Sequence, residues 1–222
     1  MYRPVVMGTR GMVAAAHPLA SMTGVDILKR GGNAVDAAIA TNAVLNVTQP
    51  HMCGIGGDLF YLIYLARTGE VVFLNGSGRS PRGAYLELFR EKGMTNISPR
   101  SAYAVTVPGC VAAWEDAWEC YGTMPMADLL ADAISYAEGH PISYNLVNYI
   151  GEYQKVLSRY PETAAIFLPD GKPPRPGDIF RQNDLAATFC LLAKEGRKAF
   201  YEGPIAESIA KTVQAEEAYL TV

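Results

Sequence analysis

The sequence predicts a helix-rich α+β chain, and three observations support that class. Two helical segments with clear start and stop signals lie near the N-terminus. Two apolar runs joined by a short turn then predict one β-hairpin. Most of the remaining chain places its apolar residues at helical spacing, so helices are expected to outnumber strands.

The chain opens with a short apolar run and a helix. Residues Gly11–His17 are apolar and short, which predicts a buried strand. Apolar residues at helical spacing then predict a helix over Pro18–Arg30. We expect Gly31 and Gly32 to end this helix, because glycine commonly terminates helices.

A second helix is predicted over Ala34–Val47. Asn33 is a favourable N-cap, and Asp36 places a negative charge in the first turn, where the helix dipole favours it. Alanines on this helix make it thin, so we expect it to be internal and to pack closely against a sheet.

A glycine-rich break precedes the predicted hairpin. Gly54, Gly56 and Gly57 predict a tight turn with positive φ. The strands are predicted over Asp58–Ala66 and Glu70–Asn75, with a turn between them. Because both runs are nearly continuous in apolar residues, we expect burial on both faces.

Helices are predicted over most of the chain after the hairpin. Their predicted ranges are Tyr85–Lys92, Gly109–Tyr121, Pro125–Glu138, Tyr144–Tyr160, Asn183–Glu195 and Pro204–Val213. A proline-rich surface loop is expected over Leu168–Asp178. No repeat or long linker interrupts residues 1–222, so we predict no internal domain boundary.

Composition excludes several classes of protein. Only 18% of the residues are charged, the net charge is −3, and no basic cluster occurs, which argues against nucleic-acid binding. No apolar run reaches the roughly 18 residues that a membrane span needs. The cysteines form no CxxC pair and no signal peptide is evident, so we expect a cytoplasmic chain with reduced thiols.

The residues suggest few complete chemical sites. The segment Gly54–Asp58 follows a helix and precedes a strand, the reverse of a phosphate-binding loop. No histidines lie at metal-ligand spacing, so no metal or other cofactor is expected. A cysteine or serine hydrolase complete within these residues, using for example Cys53 and His51, stays open, although structural roles for both residues are the stronger interpretation.

The loop after the second predicted strand is the best candidate for substrate binding. It contains Ser77, Gly78 and Arg79 directly after a buried run. The guanidinium of Arg79 is suited to a substrate carboxylate, and the Gly78 amide permits close approach of a ligand. An ordinary polar loop with solvated arginines is the alternative interpretation.

Several motifs, in order along the chain, resemble those of the γ-glutamyltranspeptidases. The segment Gly31–Ala38 is similar to the GGNAVDAA signature of that family, and Pro50 with Gly54–Gly57 resembles its next landmark. The later similarities are Tyr121–Pro125, Gly177–Asp178 with Gln182, and Phe200–Gly203 with Ile205–Ala206.

The resemblance implies an N-terminal nucleophile hydrolase. Such a protein is an αββα four-layer sandwich made as an inactive precursor, which cuts itself into a large and a small subunit. The N-terminal threonine of the small subunit is then the nucleophile, with its own α-amine as base. The substrate implied is an amide of a γ-glutamyl or glutaryl-type acyl group, and no cofactor is implied.

Two departures refine this expectation. The chain ends at Val222, so we expect residues 1–222 to be an incomplete large-subunit portion, inactive alone, with its catalytic threonine beyond it. Alignment on Pro81 places Ser77 where transpeptidases carry a carboxylate-binding arginine, with Arg79 two residues later. This loop resembles the branch of glutaryl-cephalosporin acylases and oxamate amidohydrolases. A non-catalytic binding or structural remnant of the same fold remains an alternative.

Overall fold

A computed structural model describes residues 5–222, and the fold is mixed and helix-rich as predicted. The helices are α1 (Pro18–Lys29), α2 (Ala34–Thr48), α3 (Leu86–Glu91), α4 (Cys110–Tyr121), α5 (Met126–Glu138), α6 (Tyr144–Glu152), α7 (Gln154–Leu157), α8 (Pro161–Phe167), α9 (Asn183–Glu195), α10 (Arg197–Tyr201) and α11 (Pro204–Ala215). The strands are β1 (Leu59–Leu65), β2 (Glu70–Gly76), β3 (His140–Pro141) and β4 (Ile179–Phe180).

The described residues form two compact units, each made from two stretches of chain. The first comprises the chain up to Gly54 together with Tyr121–Cys190. The second comprises Ile55–Cys120 and Leu191–Val222. The absence of an internal domain boundary stays a prediction.

Helix α2 is the centre of the first unit. It packs against α1 and α5, and its side chains are mostly buried. Ile39, Ala40 and Val44 are completely inaccessible to solvent. The expectation of an internal helix is confirmed, whereas packing against a sheet stays a prediction. The alanines of α2 allow close packing against α1 and α5.

Asn33 and Asp36 form a reciprocal cap at the start of α2. The Asn33 Oδ1 accepts from the backbone N–H groups of Val35 at 2.8 Å and Asp36 at 3.0 Å. The Asp36 Oδ2 accepts from the backbone N–H of Asn33 at 2.9 Å. These bonds satisfy N–H groups that a helix N-terminus otherwise leaves without partners.

The same Asp36 carboxylate holds a distant segment of the unit. It accepts from the Thr123 backbone N–H at 2.9 Å, the Thr123 hydroxyl at 2.5 Å and the Met124 N–H at 3.3 Å. Burial by itself raises the pKa of Asp36. The hydrogen bonds from Thr123, Asn33 and Met124 outweigh burial and hold this pKa below its ordinary value.

The predicted helix Tyr144–Tyr160 is two helices. Tyr153, at φ −97° and ψ 12°, separates α6 from α7. This break lets residues of both helices contact one apolar cluster in the first unit. Its buried members are Ile142, Leu146, Ile150, Leu168 and Phe180, with Val147 and Leu157 packed against them.

The second unit contains the β1–β2 hairpin. The strands are antiparallel, with Leu59 opposite Gly76 and Leu65 opposite Glu70. Successive side chains alternate between a half-buried and an exposed face. The exposed face carries Asn75 opposite Phe60, and its other members are apolar, namely Phe60, Leu62, Tyr64, Val71 and Phe73. The expectation of burial on both faces is wrong for this chain.

Helix α4 packs in the second unit through Ala113, Trp114 and Ala117, all nearly inaccessible to solvent. The Tyr201 hydroxyl accepts from the Ala112 N–H at 3.0 Å and donates to the Pro108 carbonyl at 2.8 Å. These bonds link α10 to the start of α4.

The predicted strand Gly11–His17 is also wrong. No strand includes these residues, and Met12 is 56% exposed. Within the described chain this segment has no ladder partner, and an apolar run cannot form a strand without one. Across residues 5–222, no helix has the length and apolar character to cross a membrane.

Substitution of Asp36 tests the central cap. We expect Asp36→Asn to lower the free energy of unfolding by about 3 kcal/mol at neutral pH, because buried N–H donors lose a charged acceptor. In the wild type, the stabilisation that the ionised Asp36 gives to the folded state is complete above the pKa of about 3.9 that Asp has in the unfolded chain. It is lost as pH falls through the lower pKa that Asp36 has in the folded protein. The difference between the two proteins should therefore shrink in acid. Urea unfolding between about pH 7 and pH 2 measures both effects.

Asp26→Asn is the matched control, because Asp26 is an exposed acid whose ion pair is with Lys29 on the same helix. It should change the free energy of unfolding by at most about 0.5 kcal/mol. A similar loss for both variants would contradict a special role for Asp36.

Candidate functional site

The loop that follows β2 begins with a side-chain turn. The Asn75 Oδ1 accepts from the Ser77 backbone N–H at 2.9 Å and from the Ser77 hydroxyl at 2.7 Å. The hydroxyl hydrogen of Ser77 is therefore used inside the loop. Ser77 can still offer its oxygen lone pairs to a ligand.

Gly78 is held between two neighbouring segments of the second unit. Its backbone N–H donates to the Asp58 Oδ1 at 3.2 Å. A Cβ at this position would lie 1.9 Å from the Val107 carbonyl oxygen, so only glycine fits. The predicted amide for a substrate is thus already paired, and Gly78 serves close packing of the backbone.

Arg79 has an anchored backbone and a free side chain. Its carbonyl accepts from the Val107 N–H at 2.9 Å, whereas its side chain is exposed. Within residues 5–222, no acidic side chain forms an ion pair with it. Of the three predicted binding residues, Arg79 offers the donors best suited to an anionic ligand.

The glycines before β1 differ from the expected turn. Gly54, Gly56 and Gly57 do not have positive φ, and a Cβ on Gly54 or Gly56 would meet no atom within 4 Å. The predicted positive-φ turn is therefore wrong. The Gly57 carbonyl instead accepts from the N–H groups of Gly109 at 3.0 Å and Cys110 at 2.9 Å, which caps the start of α4.

Cys53 and His51 do not show the features of an activated pair. Burial raises the pKa of the Cys53 thiol and lowers the pKa of the His51 imidazole. An active thiolate–imidazolium pair needs the opposite shifts. The His51 ring stacks on Tyr149, with 4.2 Å between ring centroids. These surroundings favour structural roles for Cys53 and His51 over a catalytic one.

An apolar cleft of about 460 Å³ lies beside the His51–Tyr149 pair in the first unit. Leu146, Ile150 and Phe167 contribute to its walls, and no charged Asp, Glu, Lys or Arg lines it. A small acidic group would lose its hydration there without a cationic partner, so this cleft does not suit such a substrate.

In the described part of the chain, no three His, Cys, Asp or Glu side chains are grouped as metal ligands would be.

Known proteins share both the sequence and the fold. The family model described as gamma-glutamyltranspeptidase matches residues 20–222. The chain belongs to the γ-glutamyltranspeptidase family. It is 44% identical over 220 residues to the glutathione hydrolase proenzyme of Bacillus subtilis, covering 96% of this chain and 37% of that protein.

Two further relatives are named as an acylase and an amidohydrolase. The crystal structure of a cephalosporin acylase from Bacillus halodurans superposes with a TM-score of 0.93 at 38% identity, covering all of this chain and 42% of that one. The oxamate amidohydrolase proenzyme of Klebsiella pneumoniae is 37% identical, covering 94% of this chain and 40% of that protein. The chain thus spans about two fifths of these relatives.

Sequence reasoning missed three residues that hold the loop of this family member, namely Asp58, Asn75 and Val107. A signal for Asp58 was present, since it directly precedes β1 and Leu59 pairs with Gly76. Continuing that register brings Asp58 beside the loop. Val107 had no comparable signal, because it reaches the loop from outside the hairpin.

Alanine substitutions of two glycines test the packing of this loop. We expect Gly78→Ala to lower the free energy of unfolding by about 1–3 kcal/mol, because the Cβ overlaps the Val107 carbonyl. Gly56→Ala is the control, since its Cβ enters open space and its φ is not left-handed. It should be neutral or stabilising by up to about 1 kcal/mol. Equal urea-unfolding free energies for the two variants would show that the close approach at Gly78 is unimportant.

Proposed function

We propose that this chain is the large-subunit portion of a self-processing precursor that hydrolyses amides of small acidic acyl groups. The γ-glutamyltranspeptidase match over residues 20–222 carries this proposal. The relatives named as proenzymes are more than twice as long as the region that they share with this chain. In this proposal the catalytic threonine lies downstream of Val222. Within residues 5–222 no disulfide joins the four cysteines, and we therefore place the protein in a reducing, cytoplasmic compartment.

The proposed reaction has two steps. The hydroxyl oxygen of the new N-terminal threonine attacks the amide carbon, while its α-amine accepts the proton. The C–N bond breaks, the amine leaves with that proton, and an acyl ester of threonine remains. Water then attacks the ester carbon, the bond from that carbon to the threonine oxygen breaks, and the threonine oxygen takes up a proton from the water as the acid is released. In this proposal the acyl group passes to water in preference to another amine.

Arg79 is the proposed anchor for the acyl group. The γ-glutamyl and glutaryl groups both carry a carboxylate at the same distance from the amide, and γ-glutamyl alone adds an ammonium. The free guanidinium of Arg79 can donate two parallel hydrogen bonds to that carboxylate. The Ser77 and Gly78 donors are paired within the protein, so we assign these residues to shaping the loop.

The small subunit of the same precursor is the proposed partner. Support comes from the apolar face of the hairpin, where Leu62 lies opposite Phe73 and Tyr64 lies opposite Val71. These four side chains are 62–76% exposed. A contiguous apolar surface of this kind is typical of a contact with another protein segment. In a four-layer sandwich, the second subunit would provide that cover.

Oxamate-type amides are a second candidate substrate. The 37% identity to an oxamate amidohydrolase proenzyme favours this candidate. Oxamate also carries a carboxylate beside its amide, so the same cationic anchor would serve, with a much shorter acyl group. The ratio of oxamate to glutaryl hydrolysis by the processed protein discriminates between the two candidates.

Replacement of Arg79 tests the proposed function in the full precursor. We expect wild type and Arg79→Ala to cut themselves into two subunits on a denaturing gel. The variant should hydrolyse glutaryl and γ-glutamyl p-nitroanilides roughly 10- to 100-fold less efficiently, since a charged hydrogen-bond partner is lost.

Arg67→Ala is the matched control for that comparison, because Arg67 lies in the hairpin turn at the opposite end of the strands. It should hydrolyse both anilides like the wild type. A precursor that never cuts itself and never turns over these substrates would support the non-catalytic remnant. Full activity of Arg79→Ala would remove Arg79 as the anchor.

The partner proposal makes a separate prediction. Prepared alone, the 222-residue chain should bind a hydrophobic fluorescent dye or self-associate, because the hairpin face is uncovered. Phe73→Lys should weaken dye binding, whereas Met22→Lys on exposed α1 surface should not. The processed two-subunit protein should bind little dye. A dye-silent monomer of the isolated chain would argue against a covered hairpin face.

A further inference from the structure

The conformation of the proposed anchor loop depends on an acidic side chain outside the loop. Asp58 directly precedes β1, and its Oδ1 accepts the Gly78 backbone N–H at 3.2 Å. Since Leu59 pairs with Gly76, this contact extends the hairpin pairing into the loop. The backbone of β2 is therefore prevented from turning freely where the strand ends.

A second contact, from a different segment of the chain, holds the backbone just after the Arg79 Cα. The Arg79 carbonyl accepts from the Val107 N–H at 2.9 Å, and Gly78 lies against the Val107 carbonyl. The backbone is thus held on both sides of the peptide that joins Gly78 to Arg79, by Asp58 at the Gly78 N–H and by Val107 at the Arg79 carbonyl. Both contacts act on the backbone from which the Arg79 side chain leaves the loop.

The charges of Asp58 and Arg79 do not cancel each other. Both side chains are exposed, and within the described residues no ion pair joins them or engages either one. The guanidinium therefore stays available for a ligand. The Asp58 carboxylate instead contacts the backbone one residue earlier. With this arrangement Asp58 can orient Arg79 without contacting the ligand that Arg79 binds.

We propose that Asp58 is a positioning residue for Arg79, acting through the Gly78 amide to set the direction of the guanidinium. The inference rests on the proposed function, in which Arg79 binds the acyl carboxylate. It requires an acceptor oxygen at the Oδ1 position and does not require the negative charge. Asn at this position should therefore replace Asp better than Glu does, because Glu moves the oxygen by one methylene group.

The test uses the self-processed full protein with glutaryl and γ-glutamyl p-nitroanilides. We expect Asp58→Ala and Asp58→Glu to raise KM by about 10-fold or more, since a small displacement of a binding group strongly weakens productive binding. Their kcat should stay within about twofold of wild type, because the threonine machinery is untouched. Asp58→Asn should keep KM within about threefold, since it retains an acceptor oxygen.

A double variant separates positioning from an independent effect. Asp58→Ala combined with Arg79→Ala should raise KM no further than Arg79→Ala alone. Once the Arg79 side chain is removed, loss of its positioning residue has nothing left to misdirect. Glu70→Ala, at the other end of the hairpin, is the matched acidic control and should leave KM unchanged. Subunit formation on a gel verifies folding. If Asp58→Ala fails to process, the comparison of Asp58→Asn with Asp58→Glu decides the question.

The outcomes distinguish this inference from the proposed function. An unchanged KM in Asp58→Glu beside a raised KM in Arg79→Ala overturns the positioning role and leaves the anchor in place. Multiplying effects in the double variant overturn it as well, since they show that Asp58 acts independently. A raised KM in Asp58→Asn equal to that of Asp58→Ala assigns the effect to charge and also overturns it. An unchanged KM in Arg79→Ala overturns the proposed anchor itself.

Discussion

The carboxylate of Asp36 is the interaction on which the first unit depends. The chain leaves that unit after Gly54 and re-enters it at Tyr121. At the re-entry point, the Tyr121 carbonyl accepts from the Asn33 side chain at 2.6 Å, and Thr123 and Met124 donate to Asp36. The residues that cap the start of α2 therefore also hold the segment that leads into α5. This double use gives a physical reason for the Asn-Ala-Val-Asp spacing of the signature.

The second unit relies on a different constraint, which is close contact between backbones. Gly109 approaches the Gly76 carbonyl so closely that a Cβ would lie 1.9 Å from it, and Gly78 makes the corresponding approach to Val107. Side chains at these positions would separate the loop from the segment that leads into α4. The glycines thus bring polar backbone groups within hydrogen-bonding distance, and Arg79 projects from the resulting rigid base.

The hairpin connects this local geometry to the larger protein. Its half-buried face carries Tyr61 and Ile63, whereas the opposite face presents apolar side chains to solvent in this chain. Apolar residues on both faces of a strand are typical of layers covered on both sides. The composition of the hairpin therefore fits the proposed cover by a second subunit, and the relative from Bacillus subtilis is more than twice as long as the region that it shares with this chain.

The sequence by itself determined the features that depend on neighbouring residues. The α1 and α2 bounds, the Asn33 cap, the hairpin and α9 agree closely with the predictions, because capping groups and turn residues act locally. It also led us to the loop containing Arg79 as the candidate for substrate binding, which stays a prediction. The tertiary structure decided the break at Tyr153, the exposed hairpin face and the pairing of Gly78 with Asp58. These features depend on contacts between residues far apart in the chain, which local propensity does not encode.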